Sequence, residues 1–197
     1  GVLAVTEWII LYTIMLVEQE CIMSRVLQGG LWLTLLAMSY AVQAQTCKPE
    51  SIPASTPNSQ LQDNGDGTIT DRKTGLIWKQ CLEGQSGSDC ASGGVETFTW
   101  QQALQRAQTV NSSGGFAGFS DWRLPTIKEL ISLVEHQCVG PAINLTRFPH
   151  ASSDGLWSSS AVAGSSYYAW SVGFYYGDAD WGSKGNGGQL RLVRSGQ

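Results

Sequence analysis

The sequence predicts an α+β domain, and three observations predict it. Two capping boxes open helices, at Thr99-Trp100-Gln101-Gln102 and at Thr126-Ile127-Lys128-Glu129. An Asn64-Gly65-Asp66-Gly67 turn separates two short strand-like runs. Near the C-terminus, Trp170, Val172 and Phe174 alternate with Ser171, Gly173 and Tyr175, which is the period of a strand with one apolar and one mixed face.

Composition narrows the function. The chain has 197 residues, a net charge of −4 and only 14% charged residues, against about 25% in a typical domain. Its isoelectric point is about 5.1 and it has no long Lys/Arg run, so a nucleic-acid partner is not expected. An apolar content of 42% argues against disorder.

The N-terminal region reads as targeting sequence. Residues 23–44 fit a signal peptide: a short positive start at Met23-Ser24-Arg25, an apolar stretch from Leu27 to Tyr40, and a small-x-small site at Val42-Gln43-Ala44. Cleavage after Ala44 leaves Cys47 too far from the new N-terminus for a lipid anchor. Residues 1–22 fit no targeting pattern. Their apolar run, Trp8 to Val17, is well short of the ~20 residues that span a bilayer. They read as an over-extended start of translation, with a membrane-associated leader as the competing reading. The expected mature chain is 45–197, exported to the periplasm, the cell surface or the medium, with no membrane span. Setting aside Arg25, Glu7, Glu18 and Glu20 from totals of 12 basic and 16 acidic residues leaves 11 and 13.

Four cysteines remain in that mature chain, and four cysteines allow three pairings. Cys81 and Cys90 flank a Gly/Ser-rich loop, which suits a local bridge. Cys47 and Cys138 would then staple the N-terminal arm to the domain. Zinc is the alternative, but no C-x-x-C or nearby His pair supports it. Disulfides suit an exported chain.

Residues 45–60, with Pro49, Pro53 and Pro57, read as an extended arm, and the domain proper as 61–197. A calcium loop through Asn64–Gly67 fails, because Gln62 and Lys73 fall where carboxylates are required. The hairpin continues through Gly75 into Leu76-Ile77-Trp78, a buried strand candidate. In the first helix Trp100, Ala103, Leu104 and Ala107 share a face, and the helix should fade by 111–115. In the second, Ile127, Leu130, Ile131 and Val134 line one face. Asp121-Trp122-Arg123 reads as a packed tryptophan with a local ion pair. Tyr176-Gly177-Asp178 should turn the C-terminal strand, and Leu190-Arg191-Leu192-Val193-Arg194 should form the closing one.

Seven segments occur in an order that resembles one bacterial family. They are DNGDGTITDRKTGLIWKQC, FTWQQAL, GFSDWRLPTIKELISLV, PAINLTRFP, LWSSS, YYAWSVGF and LRLVR, covering about 61 to 194. The family is the Lcl C-terminal domain, which is itself similar to the formylglycine-generating enzyme group. The resemblance implies a C-type-lectin-like fold, two helices packed on an irregular twisted antiparallel sheet system.

The C-terminal segment, 165–189, also resembles the variable proteins of diversity-generating retroelements. In those, adenine-directed mutagenesis rewrites chosen codons, and an Asn codon yields Tyr, Ser, Gly, Asp or Asn. The matching positions are Tyr167, Ser171, Gly173, Tyr175, Tyr176, Asp178, Asp180, Ser183, Gly185, Asn186, Gly187 and Gly188. Trp181 is not reachable from an Asn codon, yet its polar setting places it with the expected ligand-binding surface. Such residues are those of antibody loops, where Tyr supplies area and small polar residues adapt. The expected partner is a protein or glycan on another surface.

No catalytic residue, cofactor or metal is expected. The formylglycine relatives use cysteines near the C-terminal part of the fold, and none follows Cys138. His136 and His150 lie apart. The calcium-binding motifs of sugar-binding C-type lectins are missing, so stacking on Trp or Tyr is the route left for a sugar. An undiversified adhesin module of the same family is the alternative reading.

Overall fold

The computed structural model describes residues 44–196. The segments read as an upstream extension (1–22) and, but for Ala44, as a signal peptide (23–44) lie outside those residues. The described part contains β1 (Thr46–Cys47), β2 (Leu61–Asp63), β3 (Thr68–Asp71), β4 (Leu76–Lys79), β5 (Gln85–Ser86) and β6 (Ser92–Gly93). Two helices follow, α1 (Trp100–Ser112) and α2 (Ile127–Ile131). The rest is β7 (Cys138–Val139), β8 (Gly155–Ala161), β9 (Tyr168–Gly173), β10 (Asp178–Ser183) and β11 (Val193–Ser195). The α+β expectation is met: antiparallel sheets with two small helices. Among the described residues no helix is long and apolar enough to cross a membrane.

A four-stranded antiparallel sheet, ordered β11-β4-β3-β2, is built on the hairpin predicted at Asn64–Gly67. Asp63 and Asp66 are spent inside that turn, accepting from the amides of Gly65 and Thr68. Across the sheet, Ile69, Trp78 and Val193 stand in register, all fully buried. Burying one such side chain is worth about 1.5–3 kcal/mol, so this row anchors the core.

Both capping boxes form. Thr99 Oγ1 accepts from the Gln102 amide at 3.3 Å, and Gln102 Oε1 accepts from the Thr99 amide at 2.9 Å. Thr126 and Glu129 repeat the exchange at 3.3 and 2.7 Å. The first helix buries Ala103 and Ala107. The second is shorter than its apolar run suggested. It stops at Ile131, which lies at the surface, and the chain turns so that Leu133 and Val134 enter the core instead.

The packed tryptophan at 122 is confirmed, buried with its Nε1–H donated to the Phe116 carbonyl. The local ion pair is not. Arg123 grips both oxygens of Glu129, at 2.8 and 2.7 Å, a bidentate geometry that Asp121 does not offer it. Asp121 instead accepts from Arg194 Nε at 2.7 Å.

The C-terminal segments also differ from expectation. The strand β9 ends at Gly173, and Phe174–Gly177 is the turn, so Phe174 reaches the core from a turn. Of the predicted closing run, Leu190–Arg194, only Val193 and Arg194 pair as a strand, which continues to Ser195. Arg191 lies fully buried before it, donating to the carbonyls of Lys79 and Gln80 and stacking over the Phe148 ring. Burial without a counter-ion pushes its guanidinium down to about 9.

Both expected disulfides form, Cys47–Cys138 and Cys81–Cys90, the chemistry of an oxidising compartment. The segment read as an extended arm is held down throughout. Its β1 pairs with β7, Gln45 donates to the carbonyls of Pro141 and Ile143, and Glu135 receives the amides of Ser55 and Thr56.

Candidate functional site

The expected ligand-binding residues fall on the three-stranded sheet β10-β9-β8 and the loop after it. Register assigns their faces. Trp157 pairs with Ser171 and Ser171 with Asp180, so these share one face, as do Gly155, Gly173 and Asp178. Trp181 pairs with Trp170, one residue out of phase, and lies on the other face with Tyr168, Val172, Leu156 and Ser183. The predicted surface is therefore divided by its own sheet.

On the second face, Leu156 and Val172 are buried in a core shared with Leu130, Leu133 and Phe174. Trp170 is half-buried, whereas Trp181 is 52% exposed. Trp181 meets Tyr168 edge to face, ring centroids 4.6 Å apart. Tyr167, next to this pair in sequence, is 75% exposed. Tyr175 and Tyr176 form a second edge-to-face pair at 4.6 Å on the Phe174–Gly177 turn. This turn is docked: Gly140 donates its amide to the Tyr175 carbonyl, and Ala142 to that of Phe174.

The first face is partly covered by a core containing Trp157, Ala169, Leu190, Leu192 and the alanines of α1. What stays open is a cleft of about 350 Å³. Ser171, Asn186, Gly187 and Gly188 line it, as expected binding residues, together with Asp154, Trp157, Gly182 and Gln189. Gly182 and Gly188 are there for space. A Cβ on Gly188 would lie 2.6 Å from Trp157 Nε1, and one on Gly182 would lie 3.0 Å from its Cη2. So Gly188, expected among the variable positions, is a fixed spacer over the Trp157 indole. Gly173, Gly185 and Gly187 have no such constraint, with nothing nearer than 3.4 Å to an added Cβ.

Sequence reasoning missed Tyr168, Asp154, Trp157 and Gln189 as surface or cleft residues. Tyr168 could have been found, since it shares the Tyr-rich context of Tyr167. Asp154 and Gln189 carry no local signal, because only the parallel bridge of Leu156 with Gln189 brings their segments together.

Gln189 is fixed by its neighbours. Its Nε2 donates to Asp154 Oδ2 at 2.8 Å and to Ser152 Oγ at 3.1 Å. Since Asp154 Oδ2 can only accept, the amide cannot be turned over.

No curated protein matches the sequence. The model of one family, the Lcl C-terminal domain, matches residues 67–194. That span runs from the Gly67 turn through α1, α2 and the divided sheet to β11, and the chain belongs to the Lcl C-terminal domain family.

Proposed function

We propose that this chain is an exported recognition domain of C-type-lectin-like fold, an adhesion-type module that contacts a protein or glycan through the β9–β10 hairpin. One observation carries the reading. Among the described residues nine large apolar side chains are exposed, and five of them, Tyr167, Tyr168, Tyr175, Tyr176 and Trp181, lie within this one hairpin and its flank. Clustered exposed aromatics mark contact surfaces, and Tyr and Trp dominate binding energy at them. The two disulfides support export. Family membership supports a surface role.

We read the domain as a binder rather than a formylglycine-type oxidase. All four cysteines among the described residues are tied up in disulfides. Assays for formylglycine formation and copper binding are expected to be negative, and clear activity would overturn the reading.

Diversification of the hairpin is the finer form of the proposal. The exposed Tyr167, Tyr176, Asp178 and Asp180 and the sterically open Gly173, Gly185 and Gly187 support it. The test is genomic: a near-identical template repeat and a reverse transcriptase near the gene. Mismatches to the repeat should fall at template adenines and spare Gly182 and Gly188. Mismatches scattered over all bases would leave the undiversified adhesin module.

The binding surface itself is tested on arrays of glycans and surface proteins. Trp181→Ala and Tyr176→Ala should each lower the response at least about tenfold while the melting temperature holds. Unfolding of both variants would show these aromatics to be core.

A further inference from the structure

The chain has five asparagines, all among the described residues. The fold uses the side chains of four. Asn111 donates to the Trp122 carbonyl and accepts from its amide. Asn144 donates to the Thr56 carbonyl and to Asn58 Oδ1, which engages Asn58 as well. Asn64 donates to the hydroxyls of Thr68 and Thr70, at 2.8 and 2.9 Å. Asn186 differs. It is exposed at the mouth of the cleft, and among the described residues its side chain makes no hydrogen bond.

Glycine follows asparagine twice, at Asn64-Gly65 and at Asn186-Gly187. The Cγ of an asparagine is an electrophile, and the next backbone nitrogen can close a five-membered ring on it. A side chain on that next residue obstructs the closure, and glycine has none. The two steps are held differently. The Gly65 amide donates to Asp63 Oδ1 at 2.9 Å, while the two threonines hold the Asn64 amide. Bringing Asn64 Cγ onto the Gly65 nitrogen would break these bonds. Gly187 is exposed, and its amide has no backbone or side-chain acceptor among the described residues. Nothing has to be broken there.

We propose that Asn186 is a site of spontaneous covalent modification, its side-chain amide converted to an acid by attack of the Gly187 backbone nitrogen. The Gly187 amide loses its proton to solvent and its nitrogen bonds to Asn186 Cγ. The Cγ–Nδ2 bond breaks, and the nitrogen leaves with a proton as ammonia. Water then opens the cyclic imide. Attack at Cγ gives aspartate, and attack at the main-chain carbonyl gives the isoaspartyl linkage. The net change is uptake of water and release of ammonia. Either product puts a new carboxylate at a cleft that already carries Asp154. The isoaspartyl form also lengthens the main chain by a carbon in a segment pinned on both sides. The Asn186 amide donates to the Ser183 carbonyl, and Gly188 exchanges two hydrogen bonds with Phe98. The Phe98 carbonyl also accepts from Trp157 Nε1, so the change is passed to the indole on the cleft wall.

The test ages the purified protein in mildly alkaline buffer, digests it at mildly acidic pH beside an unaged control, and maps the peptides by mass spectrometry. Asn186 should gain the mass of amide-to-acid conversion at least about tenfold faster than Asn64 in the same folded sample. The rate at Asn186 should rise with pH, because the attacking nitrogen must be deprotonated. In reduced protein unfolded in urea, the two Asn-Gly steps should convert at rates within about threefold of each other. Gly187→Ala should slow conversion at least about fivefold with the melting temperature unchanged, since a Cβ there meets only Thr97, at 3.4 Å. Asn186→Gln, which would have to close a larger ring, should abolish it. The Trp157 indole N–H resonance should move in the aged protein and stay in place in aged Asn186→Gln. The proposal is overturned if Asn186 keeps its amide in the folded protein or if Asn64 keeps pace with it there. It is equally overturned if unfolding does not bring the two rates together, or if Gly187→Ala converts as fast as the parent. A Trp157 resonance unmoved by conversion overturns the effect on the cleft.

Discussion

Glu135 accepts hydrogen bonds from both the amide and the hydroxyl of Thr56, each at 2.9 Å, and so joins the N-terminal segment to the core. Its other oxygen takes the amides of Ser55 and Gln137. Burial alone would raise the Glu135 pKa, yet these donors together hold it below the usual carboxylate value. Replacing it with Ala leaves four donors without their acceptor. The expected loss is about 2–4 kcal/mol, read from urea melts at neutral pH. Because the folded pKa is lowered, the clamp is complete at neutral pH and weakens as pH falls through the carboxylate range. The variant should lack that part of the acid dependence.

Glu129 adds a second acid-sensitive contact. The hydrogen bonds from Arg123 hold its carboxyl at about 2, against an ordinary 4.5. Stability from this pair is fully present above about pH 4.5 and is lost as pH falls toward 2. Because solvent screens this partly exposed pair, Glu129→Gln should cost only about 0.5–1.5 kcal/mol at neutral pH and flatten the acid limb of a stability–pH curve. It also removes the charge from the α2 capping box, so the helical signal of that turn should fall with it.

The two disulfides should differ in worth. Cys47–Cys138 closes a sequence separation of 91 residues, and Cys81–Cys90 one of 9. Chain-entropy reasoning gives about 4–5 kcal/mol for the first and about 2–3 for the second. Paired Cys→Ser variants, compared by denaturant midpoint, should keep that order.

Glycines of the C-terminal segment should separate into two classes. Gly188→Ala forces a methyl into the Trp157 indole and should cost about 1–3 kcal/mol. Gly173→Ser meets nothing closer than 3.9 Å and should stay within about 0.5 kcal/mol. Thermal melts of the two variants decide it.

Where the determinants are local, the sequence could be read. The capping boxes at Thr99 and Thr126 are complete within four residues, and both form. The Asn64–Gly67 turn needs only its own side chains. The strand β10 was not legible, because Asp178, Ala179, Asp180 and Trp181 are all exposed and show no period-2 burial. It is a strand because β9 beside it offers a free edge. The cleft was invisible for a related reason: Asp154 and Gln189 meet only through a bridge between distant segments. The division of the expected binding surface was legible in principle. Ser171 and Trp181 take opposite faces once Trp181 is set opposite Trp170. That register is fixed by the Phe174–Gly177 turn, and the alternation in β9 alone does not reveal it.

The pairing of Val193 with Trp78 has a consequence for how the molecule comes into being. The central sheet is closed by a segment far along the chain from Trp78, and both helices and the three-stranded sheet β10-β9-β8 lie between its partners. No amount of early local structure can complete the row of Ile69, Trp78 and Val193 until β11 has left the ribosome. Long-range closure of this kind slows folding. Until that closure the row of Ile69, Trp78 and Val193 stays incomplete, so the core is finished only after the segments between them have been made.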